Sequence, residues 1–192
     1  MLGIVIGVGA VITMVALGTG AQQSVESQLQ ALGTDVLTVR PGQGWHRGVR
    51  SSNARMYLTD AYAVESGTEA ITMAAPEMVS NAQVEFNRSN ANMRVTGTTA
   101  KFAELNNYEV EYGRFFTPEE DAGRRRVAVI GGEVPETFQS TPLDMLGESI
   151  SIRNVTFEVV GVLEAKGGSG WFNQDERIFI PVQTAQFRIM GT

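Results

Sequence analysis

The run MLGIVIGVGAVITMVALGTG opens the chain without one ionisable side chain, and the first charge is Glu26. A helix of about 20 predominantly apolar residues covers the ~30 Å hydrocarbon layer of a bilayer, so this run constrains the chain more than any other feature. A secretory signal needs a basic segment ahead of its apolar stretch, whereas the first basic residue here is Arg40. A helix buried in a water-soluble core fits poorly too. Gly3, Gly7, Gly9 and Gly18 lie within the run, and each costs a helix in water roughly 1 kcal/mol relative to alanine. In lipid the same glycines let a second helix approach, and Gly3 with Gly7 forms a small-xxx-small pair on one face. Thr13 and Thr19 carry the only hydroxyls before Ala21, and each can bond a carbonyl of the preceding turn. The sequence predicts a transmembrane helix with Gly3, Gly7 and Gly9 as helix-packing positions. No basic flank precedes it, so loop Lys/Arg bias does not orient it.

After Gly20 the pattern becomes amphipathic without a break. AQQSVESQLQALG places Val25, Leu29 and Leu32 at helical spacing, and Gly33 stands where a C-terminal cap belongs. Residues 1–33 therefore read as one continuous helix that leaves the membrane as a short stalk. The remaining 34–192 are long enough for a sizeable core. A strand is expected at 36–39, closing at Pro41-Gly42, and a mobile Gly/Arg/Ser/Asn-rich loop over 41–56. A short helix is expected at 58–66 with Thr59 as its N-cap. SNAQVEFNRSNANMRVTGTT reads as a hairpin with Val84, Phe86, Met93 and Val95 inward and a turn near 87–90. A helical turn within 98–106 directs Phe102 and Leu105 to the core.

Further along, Thr117 and Pro118 open a helix whose acidic first turn suits the helix dipole. RRVAVIGG is a short strand followed by a helical candidate over 133–138. SISIRNVTFEVVGVLEAK is the strongest hairpin, turning at Arg153-Asn154. GGSGWFNQDE is a flexible loop carrying Trp171 and Phe172, RIFIPV a strand, and QTAQFRIM a short helix. Strands dominate, with scattered short helices, and the fold class is α+β.

The same residues exclude several functions. A net charge of −6 leaves no basic field for nucleic acid, and Arg124, Arg125 and Arg126 read as a solvated turn. The absence of cysteine removes disulfides and thiolate chemistry. His46, the single histidine, has no companions at metal-ligand spacing and reads as a solvated loop residue, and no G-x-S-x-G elbow supports an extracytoplasmic hydrolase. Glu119, Glu120 and Asp121 look like a carboxylate cluster, but neighbours within one turn diverge and N-terminal capping accounts for them. Gly131-Gly132 sits between strand and helix, the context of a phosphate-binding turn, yet neither G-x-G-x-x-G nor a Walker pattern occurs. The sequence predicts no catalytic, metal or cofactor residue in this chain.

The opening run with its stalk, then VTGTT, YEVEYGRFFTPEED, RRVAVIGG and ISIRNVTFEVVGVLEAKGGSGWFNQDERIFIPVQTAQ, together resemble the MacB-type ABC exporter permeases. The ordered set spans nearly the whole chain. The resemblance implies a periplasmic core domain, 34–192, set between the first and second membrane helices of an inner-membrane permease. It implies two lobes, a porter-like βαβ lobe and an inserted mostly β lobe, with the porter lobe incomplete at Thr192. It implies a homodimer, an ABC ATPase domain or subunit that supplies ATP hydrolysis, and a periplasmic adaptor protein leading to an outer-membrane channel. ATP-driven motion would pass through the stalk to the periplasm, a mode called mechanotransmission. The nucleotide-binding domain and the later membrane helices are absent, and ETFQSTPLDMLGESI is slightly longer than the usual family connection. The loop residues Trp171, Phe172, Asn173 and Gln174 are the expected adaptor contacts, because exposed aromatics concentrate at interfaces; the alternative is that both rings fold back onto the hairpin. A membrane-anchored extracytoplasmic sensory or structural domain without transport is the competing functional reading. The cargo is not legible.

Overall fold

The computed structural model describes residues 2–31, 36–41, 44–46, 49–51, 56–68, 70–167 and 175–191. They fall into two units, Met1–Leu37 and Thr38–Thr192. The first is helix α1, Leu2–Ala31, unbroken over 30 residues. No proline interrupts it, and the Thr13 and Thr19 hydroxyls donate to the Gly9 and Val15 carbonyls at 2.8 and 2.6 Å, as the spacing required. The Gly33 cap lies outside the described residues.

The second unit departs from expectation at its start. Residues 36–41 form no strand, and Leu37 and Val39 are exposed. Alternation creates a strand only where a partner supplies the ladder, and no described residue pairs with this stretch. Within the expected loop, strand β1 (Gly44–His46) instead pairs antiparallel with β2 (Val49–Ser51), Trp45 opposite Arg50. Helix α2, Leu58–Gly67, begins one residue before Thr59. The Asp60 carboxylate accepts the Tyr57 N–H at 2.8 Å, which moves the cap to Tyr57. No residue of α2 is buried.

The rest is built on seven strands: β3 (Met78–Phe86), β4 (Ser89–Thr98), β5 (Val110–Gly113), β6 (Val127–Ile130), β7 (Ser149–Ile152), β8 (Val155–Leu163) and β9 (Arg177–Pro181). Both hairpins form where the alternation placed them. Asn87 takes φ 54° in the β3–β4 turn, and Arg153 and Asn154 take φ 47° and 65°, the positive pair that a two-residue type I′ turn demands. The strand order is β5-β8-β6-β9-β4-β3-β7, and β7 also pairs with β8. The sheet thus closes through β8-β6-β9-β4-β3-β7, which leaves few unpaired edges. Two of its joins are parallel, β4–β9 and β6–β8.

Alternation divides the core. Ala128 and Ile130 enter one hydrophobic cluster with Val84, Val95, Ile152, Phe157, Ile178 and Ile180. Val127 and Val129, on the opposite face of the same strand, enter a second with Phe102, Tyr108, Phe116, Leu163 and Phe179. Short helices cover these faces: α3 (Lys101–Leu105), α4 (Pro118–Ala122), α5 (Val134–Thr137), α6 (Pro142–Met145) and α7 (Val182–Thr184), which runs into a π-helical turn, Ala185–Met190. Phe102 is buried as expected, whereas Leu105 is only half-buried. Strand β5 and helix α6 were not expected, although Thr141-Pro142 repeats the helix start seen at Thr117-Pro118, the Thr141 hydroxyl accepting the Asp144 N–H at 3.3 Å.

Candidate functional site

The loop expected to carry a contact surface begins where β8 ends. Its contact candidates, Trp171, Phe172, Asn173 and Gln174, lie outside the described residues. Its two stems are described, and they are clamped. Asp175 is buried, and its carboxylate accepts the backbone N–H groups of Lys166 at 3.0 Å and Gly167 at 2.9 Å. Charge-assisted bonds of this kind are about twice as strong as neutral ones. The Asp175 carbonyl in turn accepts the Glu133 N–H at 3.1 Å, and Arg177 accepts the Gly131 N–H at 2.8 Å. A Cβ on Gly131 would overlap the Asp175 carbonyl, and one on Gly132 would crowd Ala165. Gly131-Gly132 therefore serves close backbone approach, not phosphate binding.

Lys166 closes the clamp from the other side. Its ammonium donates to the Asn106 carbonyl at 2.7 Å and lies 4.3 Å from the centroid of the Tyr108 ring. Burial lowers the Lys166 pKa, opposed by the charges of Asp175 and Glu109. Burial likewise raises the Tyr108 hydroxyl to about 12, opposed by Arg177. Tyr108 stacks on Phe102 with centroids 5.9 Å apart and packs against Phe179 at 5.4 Å. The stems thus rest on the second hydrophobic cluster. Sequence reasoning missed Asp175, Lys166 and Tyr108. The signal available was an acidic residue placed directly between a Gly-rich loop and a strand.

The three adjacent carboxylates serve separate partners. Glu120 forms a bidentate pair with Arg114, both contacts at 2.7 Å, and accepts the Thr117 N–H at 2.9 Å. Arg114 holds its carboxyl below the usual range. Asp121 is buried and accepts the Gln183 N–H at 3.0 Å, and desolvation raises its pKa. Glu119 is exposed, and its pKa is lowered by hydrogen bonds to its own backbone and to Thr117. Among the described residues no cluster of acids and histidine could hold a metal ion.

In the first unit, Gly3, Gly7 and Gly9 face open space, with no atom within 4 Å of the position a Cβ would take. Ile6, Val8, Val11, Ile12, Met14, Val15 and Leu17 are each more than half exposed. Among the described residues no helix is long and apolar enough to cross a membrane.

The described residues thus form a closed sheet with the segments at 166–167 and 175–177 tied together. Its fold is shared with solved domains of transport permeases. It superposes on the periplasmic region of MacB from Actinobacillus actinomycetemcomitans with a TM-score of 0.68 at 16% identity, covering 85% of this chain and 72% of that one. It superposes on the extracellular domain of the noncanonic ABC-type transporter YknZ from Gram-positive bacteria with a TM-score of 0.58 at 16% identity, covering 68% of this chain and 65% of that one.

The family model of the MacB-like periplasmic core domain matches residues 1–192, and the chain belongs to that family. Relatives include macrolide export ATP-binding/permease protein MacB of Bdellovibrio bacteriovorus, 39% identical over all of this chain and 30% of the relative. The protein of the same name from Azoarcus sp. is 34% identical over all of this chain and 29% of the relative. The chain therefore spans about three tenths of the length of these curated relatives.

Proposed function

We propose that this chain is the periplasmic part of an ABC exporter permease, transmitting ATP-driven motion to expel cargo from the periplasm. The observation that carries the reading is the match of the whole chain, end to end, to relatives named as macrolide export ATP-binding/permease proteins. ATP hydrolysis belongs to a nucleotide-binding domain or subunit outside these residues. The apolar part of α1, as far as Gly20, lies across the inner membrane in this reading. Two features support it: its apolar side chains point into open space, and both threonine hydroxyls are satisfied within the helix. Gly3, Gly7 and Gly9 then pack against a neighbouring membrane helix, in a homodimer or within the permease. The continuity of α1 supports its use as a lever, since a helix without kinks resists bending.

The closed sheet corresponds to the mostly β lobe in this proposal, and 36–68 to the porter-like lobe. The exposure of Leu37, Val39, Tyr57 and Tyr62 supports that assignment, because such residues are covered when a lobe is complete. The loop residues 171–174 meet the periplasmic adaptor, which leads to an outer-membrane channel, and the clamp at Asp175 supports a loop whose ends are fixed for contact. The test is Gly7→Leu in the complete permease with its ATPase and adaptor. Macrolide efflux falls while the melting of the periplasmic domain is unchanged; efflux equal to that of the parent protein refutes the packing role. Trp171→Ala with Phe172→Ala abolishes adaptor capture in a pull-down, and undiminished capture removes the loop from the contact.

A further inference from the structure

The basic run before β6 is more than a solvated turn. We propose that Arg124, which lies over the exposed ring of Phe187, and its neighbours Arg125, Arg126 and Arg188 on the two adjoining segments form a docking surface for an acidic segment of a protein partner. The chain is acidic overall, with 15 basic and 21 acidic residues, yet four of the basic ones gather on two adjoining segments. The Arg124 guanidinium lies 3.7 Å from the Phe187 ring centroid. Stacking fixes the plane of the guanidinium and leaves the N–H fork at its edge free to meet a carboxylate. Phe187 remains 53% exposed, an aromatic surface still in contact with water.

The platform is tied down by its backbone. Arg124 occupies the left-handed region at φ 50° and donates its N–H to the Asp121 carbonyl at 2.9 Å. Arg125 donates its N–H to Glu120 at 2.8 Å, and its carbonyl accepts the Thr184 hydroxyl at 2.9 Å. The Gln183 N–H completes the cross-tie to Asp121 at 3.0 Å. The arginine turn and the π-helical turn are therefore held together before any partner arrives, which reduces the ordering cost of binding. Among the described residues the ion pairs involve Lys101, Arg114 and Arg177, and none of the four patch arginines takes part in one.

The surroundings select the occupant. Glu119 and Glu158 are exposed beside the patch, and Glu158 donates its N–H to the Arg126 carbonyl at 3.0 Å. A plane of anionic lipid would bring its charge against these carboxylates as well as the arginines. A narrow acidic strand can follow the arginines and avoid them, and an aromatic flanked by arginines is a common composition for a protein contact.

The test measures fluorescence anisotropy of a labelled poly-glutamate peptide with the full chain in neutral detergent micelles, at low and at physiological salt. Binding is expected to weaken with salt, and to fall about tenfold when Arg124, Arg126 and Arg188 are all changed to Gln, with Phe187→Ala losing less. All four side chains are exposed, so melting temperature and circular dichroism are expected to match the parent and confirm intact variants. The proposal is overturned if the peptide does not bind, or if the triple variant binds it equally well. It is overturned equally if the arginines are needed only for phosphatidylglycerol vesicles, or only for self-association. The inference stands independently of the export reading.

Discussion

Replacing Asp175 by Ala isolates the clamp beneath the 168–174 loop. The carboxylate is 1% exposed and accepts two backbone N–H groups, at 3.0 and 2.9 Å. A hydrogen bond to a charged group contributes about 1.5–3 kcal/mol, and an orphaned buried donor bears its desolvation penalty. Both donors here are part-buried, so the lower end applies to each, and the loss is about 3 kcal/mol. Asp175→Asn retains one acceptor oxygen and loses the charge, for a loss of about 1.5 kcal/mol. Urea denaturation gives the global figure. Hydrogen exchange at the Lys166 and Gly167 amides gives the local one, and a 3 kcal/mol loss there means exchange faster by about a hundredfold. If Asp175→Ala changes stability by less than about 0.5 kcal/mol, and both amides keep their protection, the carboxylate does not hold the stems and the clamp is refuted.

Two further predictions follow from particular contacts. Gly161 lies at the β6–β8 register shift and pairs with Gly113 of β5, and a Cβ there would overlap the Arg114 carbonyl. Gly161→Ala therefore costs about 2 kcal/mol and lowers the melting temperature by about 5 °C, and an unchanged melt would show that the bulge can open. Glu120 has a folded pKa depressed chiefly by Arg114, so its stabilisation is full above the ordinary glutamate range and lost as pH falls through the folded value. Asp121, raised by burial, has the opposite sign; its stabilising contribution grows on acidification. The difference between parent and Glu120→Gln isolates the Glu120 effect, which stays under about 1 kcal/mol for a pair whose arginine is half exposed and shrinks below pH 4.5. A difference independent of pH would refute the pairing.

What could be read without coordinates was whatever local chemistry decides. The Arg153-Asn154 turn, the Thr117-Pro118 helix start and the threonine back-bonds in α1 each depend on residues a few positions apart, and each formed where its residues placed it. Residues 36–39 show the limit. Val36, Leu37 and Val39 have strand chemistry, but a ladder partner is a property of the fold, and no described residue supplies one. Gly131-Gly132 shows another limit: strand, glycines, then helix is the context of a phosphate-binding turn, and the missing motifs argue only against that, whereas the group Gly131 admits is the backbone at Asp175, more than forty positions away in sequence. Asp175 itself could not be recognised, because an acidic residue after a loop is ordinary until its carboxylate is seen to be buried. Phe187 and Arg124 are separated by a comparable stretch of chain, and neither alone suggests a surface.

The closure of the sheet depends on two short seams, β6–β9, joined at Val129–Phe179 and Ile130–Ile178, and β3–β7. β3 and β7 share only the pairs Val84–Ile152 and Glu85–Ser151, whereas β3 and β4 pair along their whole length. Two ladder pairs alone are a weak join, since an isolated pair of strands is marginal even at greater length. Arg153, at the start of the adjoining turn, reinforces it. Its backbone N–H donates to the Gln83 carbonyl at 3.1 Å, and its guanidinium donates to Ile189 at 2.7 Å and to Ser80 and Asn81 at 3.1 Å. One side chain thus joins β3, the β7–β8 turn and the π-helical turn. The positive φ that the type I′ turn imposes on Arg153 is accordingly offset by these bonds, which span far more of the chain than the turn does. A head that passes on motion from a lever must not absorb that motion by opening, and a two-pair seam is a place where such a sheet can open. The export proposal therefore places its mechanical demand on a join fastened by an arginine, while the docking surface at Phe187 shares the π-helical turn to which that arginine is anchored.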